Sequence, residues 1–151
     1  FENKPITKLT TEIIDSNYVA NEKENLVVSF DQIKKNILSK SFNVIDARSL
    51  ERFEGKVSEP RKGLRSGHIQ NSFCLPFNQC INQKTGEFKN LEELRELFNQ
   101  NENIEKRLDQ VFTCGSGVTA AVLAYAYKMV NNDYIPKIYD GSWSEYGKYP
   151  A

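Results

Sequence analysis

The sequence predicts an α/β domain with a mainly parallel sheet of five strands and helices on both faces. Five short apolar runs are spread along the chain after residue 25, and helical patterns occupy most of the segments between them. Strands that alternate with helices are joined by crossovers, which make the sheet parallel and cover both of its faces. The runs predicted as strands lie at 26–28, 42–45, within 69–77, at 110–113 and at 137–139.

The chain is predicted to contain one domain, at 26–151, preceded by a lead-in at 1–25. The lead-in is polar and only weakly periodic, which is typical of an extended segment or of the remnant of an interdomain linker. No internal repeat is found in the residues that follow, and strands and helices alternate through them. We therefore place no further domain boundary after residue 26.

The first helix is predicted directly after the first strand. Ser29 and Gln32 have the spacing of a capping box, in which each side chain accepts from the other residue's backbone N–H. Ile33, Ile37 and Leu38 then fall on one face of the helix that follows. We expect this apolar face to pack on the sheet.

The second strand leads into the first candidate functional segment. It ends at Asp46, and a short helix is expected at 49–53. Residues 55–67 hold three glycines, one proline and several cations, which indicates a loop. Ligands of parallel α/β sheets bind at the carboxyl ends of strands, so the segment from Asp46 to Arg48 is a candidate part of a site.

The second half of the domain repeats the same signals. Asn90 and Glu93 have capping-box spacing at the start of a helix. The apolar residues of that helix are Leu91, Leu94, Leu97 and Phe98. A tight turn follows the strand at 110–113 and opens a strongly apolar helix at 118–130. After the last strand, Ser142 is predicted to cap a final helix.

The composition argues against several classes of protein. The 151 residues include 20 Lys plus Arg and 20 Asp plus Glu, so no net charge attracts the chain to nucleic acid or to anionic membranes. Three cysteines and one histidine are too few for a disulfide scaffold or a zinc site. We expect no metal, no cofactor and no nucleic-acid or membrane partner. We also expect a reducing compartment, the cytoplasm or the mitochondrion.

Cys114 lies in the segment with the most reactive pattern. It follows a strand and precedes Gly115, Ser116 and Gly117, which lead into a helix. The glycines allow a sharp turn whose peptide N–H groups point inward at the positive end of the helix dipole. A thiolate is stabilised in such a place, which lowers its pKa and makes it a nucleophile. The alternative is a buried cysteine whose neighbouring glycines serve only close packing.

The residues around Cys114 narrow the chemistry. A cysteine phosphatase needs an arginine about six residues after the cysteine, but position 120 is Ala and the next cation is Lys128. A Cys–His pair would require His68, whose place at the entry of a strand predicts a hydrogen bond that holds the fold. Cys74 and Cys80 lie in apolar surroundings and are expected to be buried and inert.

Residues 114–120 resemble the active-site loop of rhodanese-type sulfurtransferases, in the form typical of 3-mercaptopyruvate sulfurtransferases. Further matching segments lie in the same order at 44–48, 52–53, 59–61, 67–69, 76–77 and 139–145. The resemblance implies a rhodanese-like fold with 26–151 as its catalytic domain. It also implies that a first rhodanese domain of the same protein is missing, and this is the domain that closes the cleft in the family.

The resemblance implies a role for each residue of the loop. Cys114 would be the nucleophile and would carry the transferred sulfur as a persulfide. Ser116 would assist proton movement near the cysteine, the alternative being that it caps its own loop. The backbone amides from Gly115 to Thr119 would hold the outer sulfur, with Gly115, Gly117, Val118 and Thr119 as the substrate-binding residues.

The resemblance also matches Arg52 and Arg61 to the family's substrate-binding arginines. Arginine suits this task because its planar fork binds a carboxylate through two hydrogen bonds. The alternative for both is a solvated surface cation. Asp46 and Arg48 are expected to support the loop, as is His68, and not to touch the substrate.

The predicted function is transfer of sulfur from 3-mercaptopyruvate, through a cysteine persulfide, to a thiol acceptor such as thioredoxin or to cyanide, with release of pyruvate. The loop carries no charged side chain at Gly115 or Ser116, which favours a carboxylate donor over the thiosulfate dianion. Two alternatives remain, a thiosulfate sulfurtransferase and a rhodanese-like binding module without catalysis. We expect the isolated domain to form a persulfide but to turn over poorly, because the first domain supplies acid and base groups in the family.

Overall fold

The fold is built on a parallel sheet. The computed structural model describes residues 5–10, 12–21, 25–100 and 107–150. In these residues the sheet has four strands, which lie in the order β2-β1-β3-β4 with every pairing parallel. The strands are β1 Phe42–Asp46, β2 Ser72–Cys74, β3 Asp109–Thr113 and β4 Lys137–Ile138.

Helices connect the strands in the predicted alternation. The α-helices are α1 Phe30–Ser39, α2 Leu50–Phe53, α3 Leu91–Asn99, α4 Val118–Val130 and α5 Ser142–Tyr146, and a 3₁₀ helix spans Phe77–Cys80. The capping boxes at the starts of α1 and α3 are both present. The prediction of an α/β domain with a parallel sheet is confirmed.

The predicted strand at 26–28 is reduced to one bridge. Val27 pairs in parallel with Ile138, and the Val28 N–H donates to the Ile138 carbonyl at 2.8 Å. The described residues therefore contain four strands where the sequence predicted five. The neighbouring strand β4 is only two residues long and follows Pro136, which has no N–H to donate, so it offers little edge for pairing.

Both faces of the sheet are covered. Successive residues of a strand point to opposite faces, so neighbouring residues enter different clusters of buried side chains. Ile45 and Phe112 belong to the cluster that α3 and α4 complete, while Val44 and Val111 belong to the cluster that α1 and α5 complete. This sandwich of sheet and helices leaves the carboxyl ends of the strands free to form a site.

The buried face of α1 differs from the predicted one. Leu38 is 89% exposed, whereas Asn36 is buried beside Ile33. Asn36 donates to the Phe42 carbonyl at 2.8 Å and accepts from the Phe42 N–H at 3.1 Å. An amide can be buried here because the first residue of β1 satisfies both of its polar ends.

Residues 5–10 and 12–21 contain no helix or strand and are exposed. Of the predicted lead-in, residues 1–4, 11 and 22–24 lie outside the described residues, as does residue 151 of the predicted domain. The boundary at residue 26 stays a prediction. Within the described ranges, no helix is both long enough and apolar enough to cross a membrane.

Candidate active site

The two candidate segments meet at one edge of the sheet. Asp46 ends β1 and pairs with Thr113, which ends β3, so the segments that follow leave the sheet side by side. The Ala47 N–H donates to the Thr113 carbonyl at 2.8 Å, which extends this pairing by one residue. The loop that begins at Cys114 therefore lies beside the segment that leads to Arg48.

Cys114 is buried at the base of its loop, with 2% of its surface exposed. The Ser116 N–H donates to its Sγ at 3.4 Å. Burial raises the pKa of the thiol, but hydrogen bonds from the Thr119 hydroxyl and from the N–H groups of Ser116, Ala120 and Thr119 outweigh it. The pKa is therefore lowered. Thr119 and Ala120 lie in the first turn of α4 and Ser116 lies just before it, where the helix dipole also favours a thiolate.

The other two cysteines lack such donors. All three cysteines are free. Burial raises the pKa of Cys74 to about 12 and that of Cys80 to about 11. The Cys74 thiol donates weakly to the Arg48 carbonyl, with 3.6 Å between Sγ and oxygen, and a thiol that acts as a donor gains nothing from ionising. Of the three thiols, Cys114 is therefore the one arranged for nucleophilic chemistry.

We expect iodoacetamide at neutral pH to modify Cys114 about tenfold or more faster than Cys74, because only the thiolate reacts. Cys74 is the matched control, since it is the more exposed of the two and access alone would favour it. The measurement is a time course of labelled peptides by mass spectrometry. Equal rates, or faster labelling of Cys74, would contradict the lowered pKa of Cys114.

Gly117 has a structural part in the loop. Its N–H donates to Ser142 Oγ at 3.0 Å, and its contact with the outer sulfur stays a prediction. The glycine is needed for its backbone, with φ at +83°. A Cβ at this position would also lie 2.5 Å from Asp140 Oδ1 and 3.1 Å from the Asp140 carbonyl oxygen.

The structure brings Arg52 and Arg61 to the cysteine loop. Arg52 Nη2 lies 2.9 Å, and Arg61 Nη1 3.7 Å, from the point where a Cβ on Gly115 would be. A side chain on Gly115 would therefore occupy the space that the two guanidinium groups enter. The two guanidinium groups therefore lie together beside the loop, and we call Arg52 and Arg61 the arginine pair.

Glu59 holds one member of this pair, a role that sequence reasoning missed. Arg52 donates to it through Nε at 3.1 Å and through Nη2 at 2.6 Å, and Arg48 donates through Nη1 at 2.9 Å. Burial raises the pKa of the Glu59 carboxyl, but the hydrogen bond from Arg52 and the charges of both arginines outweigh it and lower the pKa. Glu59 therefore stays ionised and fixes the direction of Arg52.

Arg48 is a structural cation. Its side chain is fully buried, donates to Asp46 through Nε and Nη2 and to the Gly67 carbonyl, and lies over the Trp143 ring with 4.4 Å from Cζ to the centroid. Asp46 and Arg48 thus stabilise the carboxyl end of β1 and the segment that follows it. His68 also has a structural contact, since its Nδ1 lies 2.8 Å from the Phe53 carbonyl.

Ser142 is the second residue whose role was missed. It was predicted to cap α5, but the residue that precedes the helix is Gly141, and no side chain caps this end. Ser142 is instead fully buried under the cysteine loop.

Among the residues that the structure describes, no group of His, Cys, Asp and Glu side chains is arranged to bind a metal ion.

A cysteine whose sulfur accepts a peptide N–H beside the start of a helix, with two arginines at the same loop, defines an α/β domain with a candidate nucleophilic site. A family model described as a rhodanese-like domain matches residues 29–149, and the chain belongs to this family.

Relatives of known activity agree with this assignment. The chain is 42% identical over 126 residues to the mitochondrial thiosulfate/3-mercaptopyruvate sulfurtransferase 1 of Arabidopsis thaliana, covering 83% of this chain and 32% of that protein. It is 34% identical over 145 residues to human 3-mercaptopyruvate sulfurtransferase, covering 96% and 48%. The crystal structure of SseA from Escherichia coli, a 3-mercaptopyruvate sulfurtransferase, matches with a TM-score of 0.70 at 30% identity, over 89% of this chain and 48% of SseA. The chain thus spans about a third to a half of the length of these proteins.

Proposed function

We propose that this chain is the persulfide-forming domain of a 3-mercaptopyruvate sulfurtransferase. The observation that carries the proposal is the arginine pair, Arg52 and Arg61, directed at an uncharged loop that contains an activated cysteine. A small α-keto acid with a thiol on its third carbon fits this arrangement. Its carboxylate binds the guanidinium groups while its sulfur reaches Cys114.

The first step forms the persulfide. The Cys114 thiolate attacks the thiol sulfur of 3-mercaptopyruvate, an S–S bond forms and the C–S bond breaks. The electron pair of the broken bond goes to the departing carbon, which leaves as the enolate of pyruvate and takes up a proton. The Cys114 sulfur and the transferred sulfur are both oxidised to the persulfide level while the carbon takes up the two electrons, so no outside oxidant is needed. N–H groups at the start of α4 stabilise negative charge on sulfur.

The second step returns the cysteine. An acceptor thiolate attacks the outer sulfur, the S–S bond to Cys114 breaks, and the electron pair of that bond restores the Cys114 thiolate. A protein dithiol such as thioredoxin, or cyanide, can act as the acceptor by the same displacement. The low pKa of Cys114 also makes it a good leaving group.

Arg52 is prepared to bind a carboxylate. A guanidinium has five N–H donors, and Arg52 uses its Nε and one Nη2 donor on Glu59, which leaves the Nη1 side for a ligand. Glu59 also neutralises part of the charge, so the site suits a monoanion better than the thiosulfate dianion. The intact, low-pKa cysteine argues against a binding module without catalysis.

The proposal extends to the whole protein. Because the relatives are two to three times longer than this chain, we propose that a first rhodanese domain completes the cleft and contributes acid and base groups.

A reducing compartment, the cytoplasm or the mitochondrion, would keep Cys114 and the acceptor reduced.

The test is to incubate the chain with 3-mercaptopyruvate or with thiosulfate and follow the product and the cysteine. We expect pyruvate release to be faster than sulfite release, and an added mass of about 32 Da, one sulfur atom, on the Cys114 peptide. Cys114→Ser should abolish both signals, and the control Cys74→Ser should retain both. Faster sulfite release would favour a thiosulfate sulfurtransferase. No sulfur adduct with either donor would overturn the catalytic proposal.

A further inference from the structure

Ser142 combines full burial with a left-handed backbone. In the described part of the chain, four residues other than glycine have a positive φ, namely Asn25, Lys40, Asn71 and Ser142. The first three are exposed, whereas Ser142 is fully buried and has a φ of +50°. Serine gains nothing from this conformation by itself, so contacts around its side chain must hold it there.

The Ser142 hydroxyl joins two strand ends to the cysteine loop. It donates to the Tyr139 carbonyl at 2.8 Å, so its lone pairs face the other way. There it accepts from the Cys114 N–H at 3.2 Å and the Gly117 N–H at 3.0 Å. The Thr113 hydroxyl also donates to it, at 3.2 Å. One oxygen therefore binds both ends of the turn that contains the nucleophile.

The backbone after Ser142 binds the carbonyl groups of the same turn. The Trp143 N–H donates to the Cys114 carbonyl at 2.9 Å. The Gly115 carbonyl accepts from the Ser144 N–H at 2.9 Å and from the Ser144 hydroxyl at 2.6 Å. The carbonyls of Cys114 and Gly115 are thus turned toward α5.

The geometry of the peptide group links the direction of these carbonyls to the direction of the N–H donors in the same peptide groups. In a planar trans peptide the C=O and N–H bonds point in opposite directions. With the Gly115 carbonyl turned toward α5, the Ser116 N–H of the same peptide group points to the opposite side, and there it reaches Cys114 Sγ. The direction of the Ser116 N–H is therefore set by the groups on α5 that bind the Gly115 carbonyl.

We propose that Ser142 is a positioning residue for the nucleophile, which holds both ends of the Cys114–Gly117 turn so that the Ser116 N–H between them points at the sulfur. This role rests on the proposed function only in that Cys114 is the reacting group. Ser142 does not touch the sulfur or the arginine pair, so it acts through the loop and not through the substrate.

The test is Ser142→Gly in the full chain, with the rate of iodoacetamide labelling of Cys114 measured against pH. Glycine tolerates the left-handed backbone, so the change removes the hydroxyl without adding strain. We expect the midpoint of the profile to rise by about one pH unit, which means about tenfold less thiolate at neutral pH. Persulfide formation should slow by a similar factor, with the KM for 3-mercaptopyruvate nearly unchanged.

The control is Ser72→Ala, which removes a partly buried hydroxyl that, like that of Ser142, donates to a backbone carbonyl, here that of Ile69 at 2.6 Å. Ser72 begins β2, away from the carboxyl ends of the strands. This variant should lose some stability and keep the labelling profile. If Ser142→Gly and Ser72→Ala both keep the wild-type midpoint, Ser142 is only a structural residue and the proposal is overturned.

A measurement on the unaltered chain covers the case in which Ser142→Gly does not fold. The Gly117 amide, bound to Ser142, should exchange its hydrogen slowly, and an unprotected Gly117 amide would overturn the proposal. Neither measurement needs a sulfur donor. A chain that is inactive with 3-mercaptopyruvate would therefore refute the proposed function while leaving the role of Ser142 standing on its own test.

Discussion

Replacing Arg48 with methionine should lower the free energy of unfolding by about 3 to 5 kcal/mol, the usual effect of removing one partner from a buried ion pair. The Arg48 side chain is fully buried, and it bonds the carboxylates of Asp46 and Glu59, which are each 1% exposed. Without Arg48, Asp46 loses its cation and the Trp143 ring loses the guanidinium that stacks on it. Urea unfolding at 25 °C measures the change.

Lys137→Met is the matched control for this prediction. Lys137 forms an ion pair with Asp109, whose side chain is 61% exposed, and such surface pairs contribute about 0 to 1 kcal/mol. Adding Glu59→Gln to Arg48→Met should recover part of the loss, because one of the two buried charges is then removed as well. An Arg48→Met variant no less stable than Lys137→Met would contradict the structural role given to Arg48.

Local signals in the sequence were sufficient to predict the alternation of strands and helices in this fold. Capping boxes need only residues three apart, and the boxes at Ser29 and Asn90 are both present. The apolar strands and the Gly-rich turn after Cys114 are equally local. This is why an α/β domain with a candidate nucleophile between a strand and a helix could be predicted before any tertiary contact was known.

Features that depend on a distant partner were not predictable in this way. Leu38 has the right periodicity for a buried position, but the face of α1 is rotated because Asn36 finds both of its partners on Phe42. The strand at 26–28 needed a longer β4 beside it. In each case the outcome depends on a neighbour that spacing along the chain does not reveal.

The same limit applies to the site. A serine near the start of a helix is most simply interpreted as a cap, and only the fold brings Ser142 under a loop that is 25 to 28 residues earlier in the sequence. Glu59 lies in a loop rich in cations, and its importance depends on two arginines meeting there. Cys114 could therefore be identified from the sequence. Ser142, which holds the loop of Cys114, and Glu59, which holds Arg52, could not.

Replacing Arg52 with methionine should raise the KM for 3-mercaptopyruvate by about 10- to 100-fold, the range expected for losing charge-assisted hydrogen bonds to a carboxylate. Arg52→Lys keeps the charge but lacks the planar fork, so its KM should lie between those of wild type and Arg52→Met. Steady-state pyruvate release measures both variants. Arg95→Met, on the exposed side of α3, is the control and should leave the KM unchanged. A KM within about twofold of wild type for Arg52→Met would limit Arg52 to its contact with Glu59.

Glu59→Gln separates the charge of the arginine pair from its geometry. The substitution removes a negative charge beside Arg52, so attraction by net charge alone would tighten the binding of an anionic donor. Glu59 also holds the guanidinium through two hydrogen bonds, and a glutamine cannot accept both. We expect the KM to rise in spite of the more positive site, because an Arg52 that is free to rotate must be ordered again when the carboxylate binds. A lower KM in folded Glu59→Gln would show that net charge, and not the fixed direction of Arg52, controls the binding of the donor.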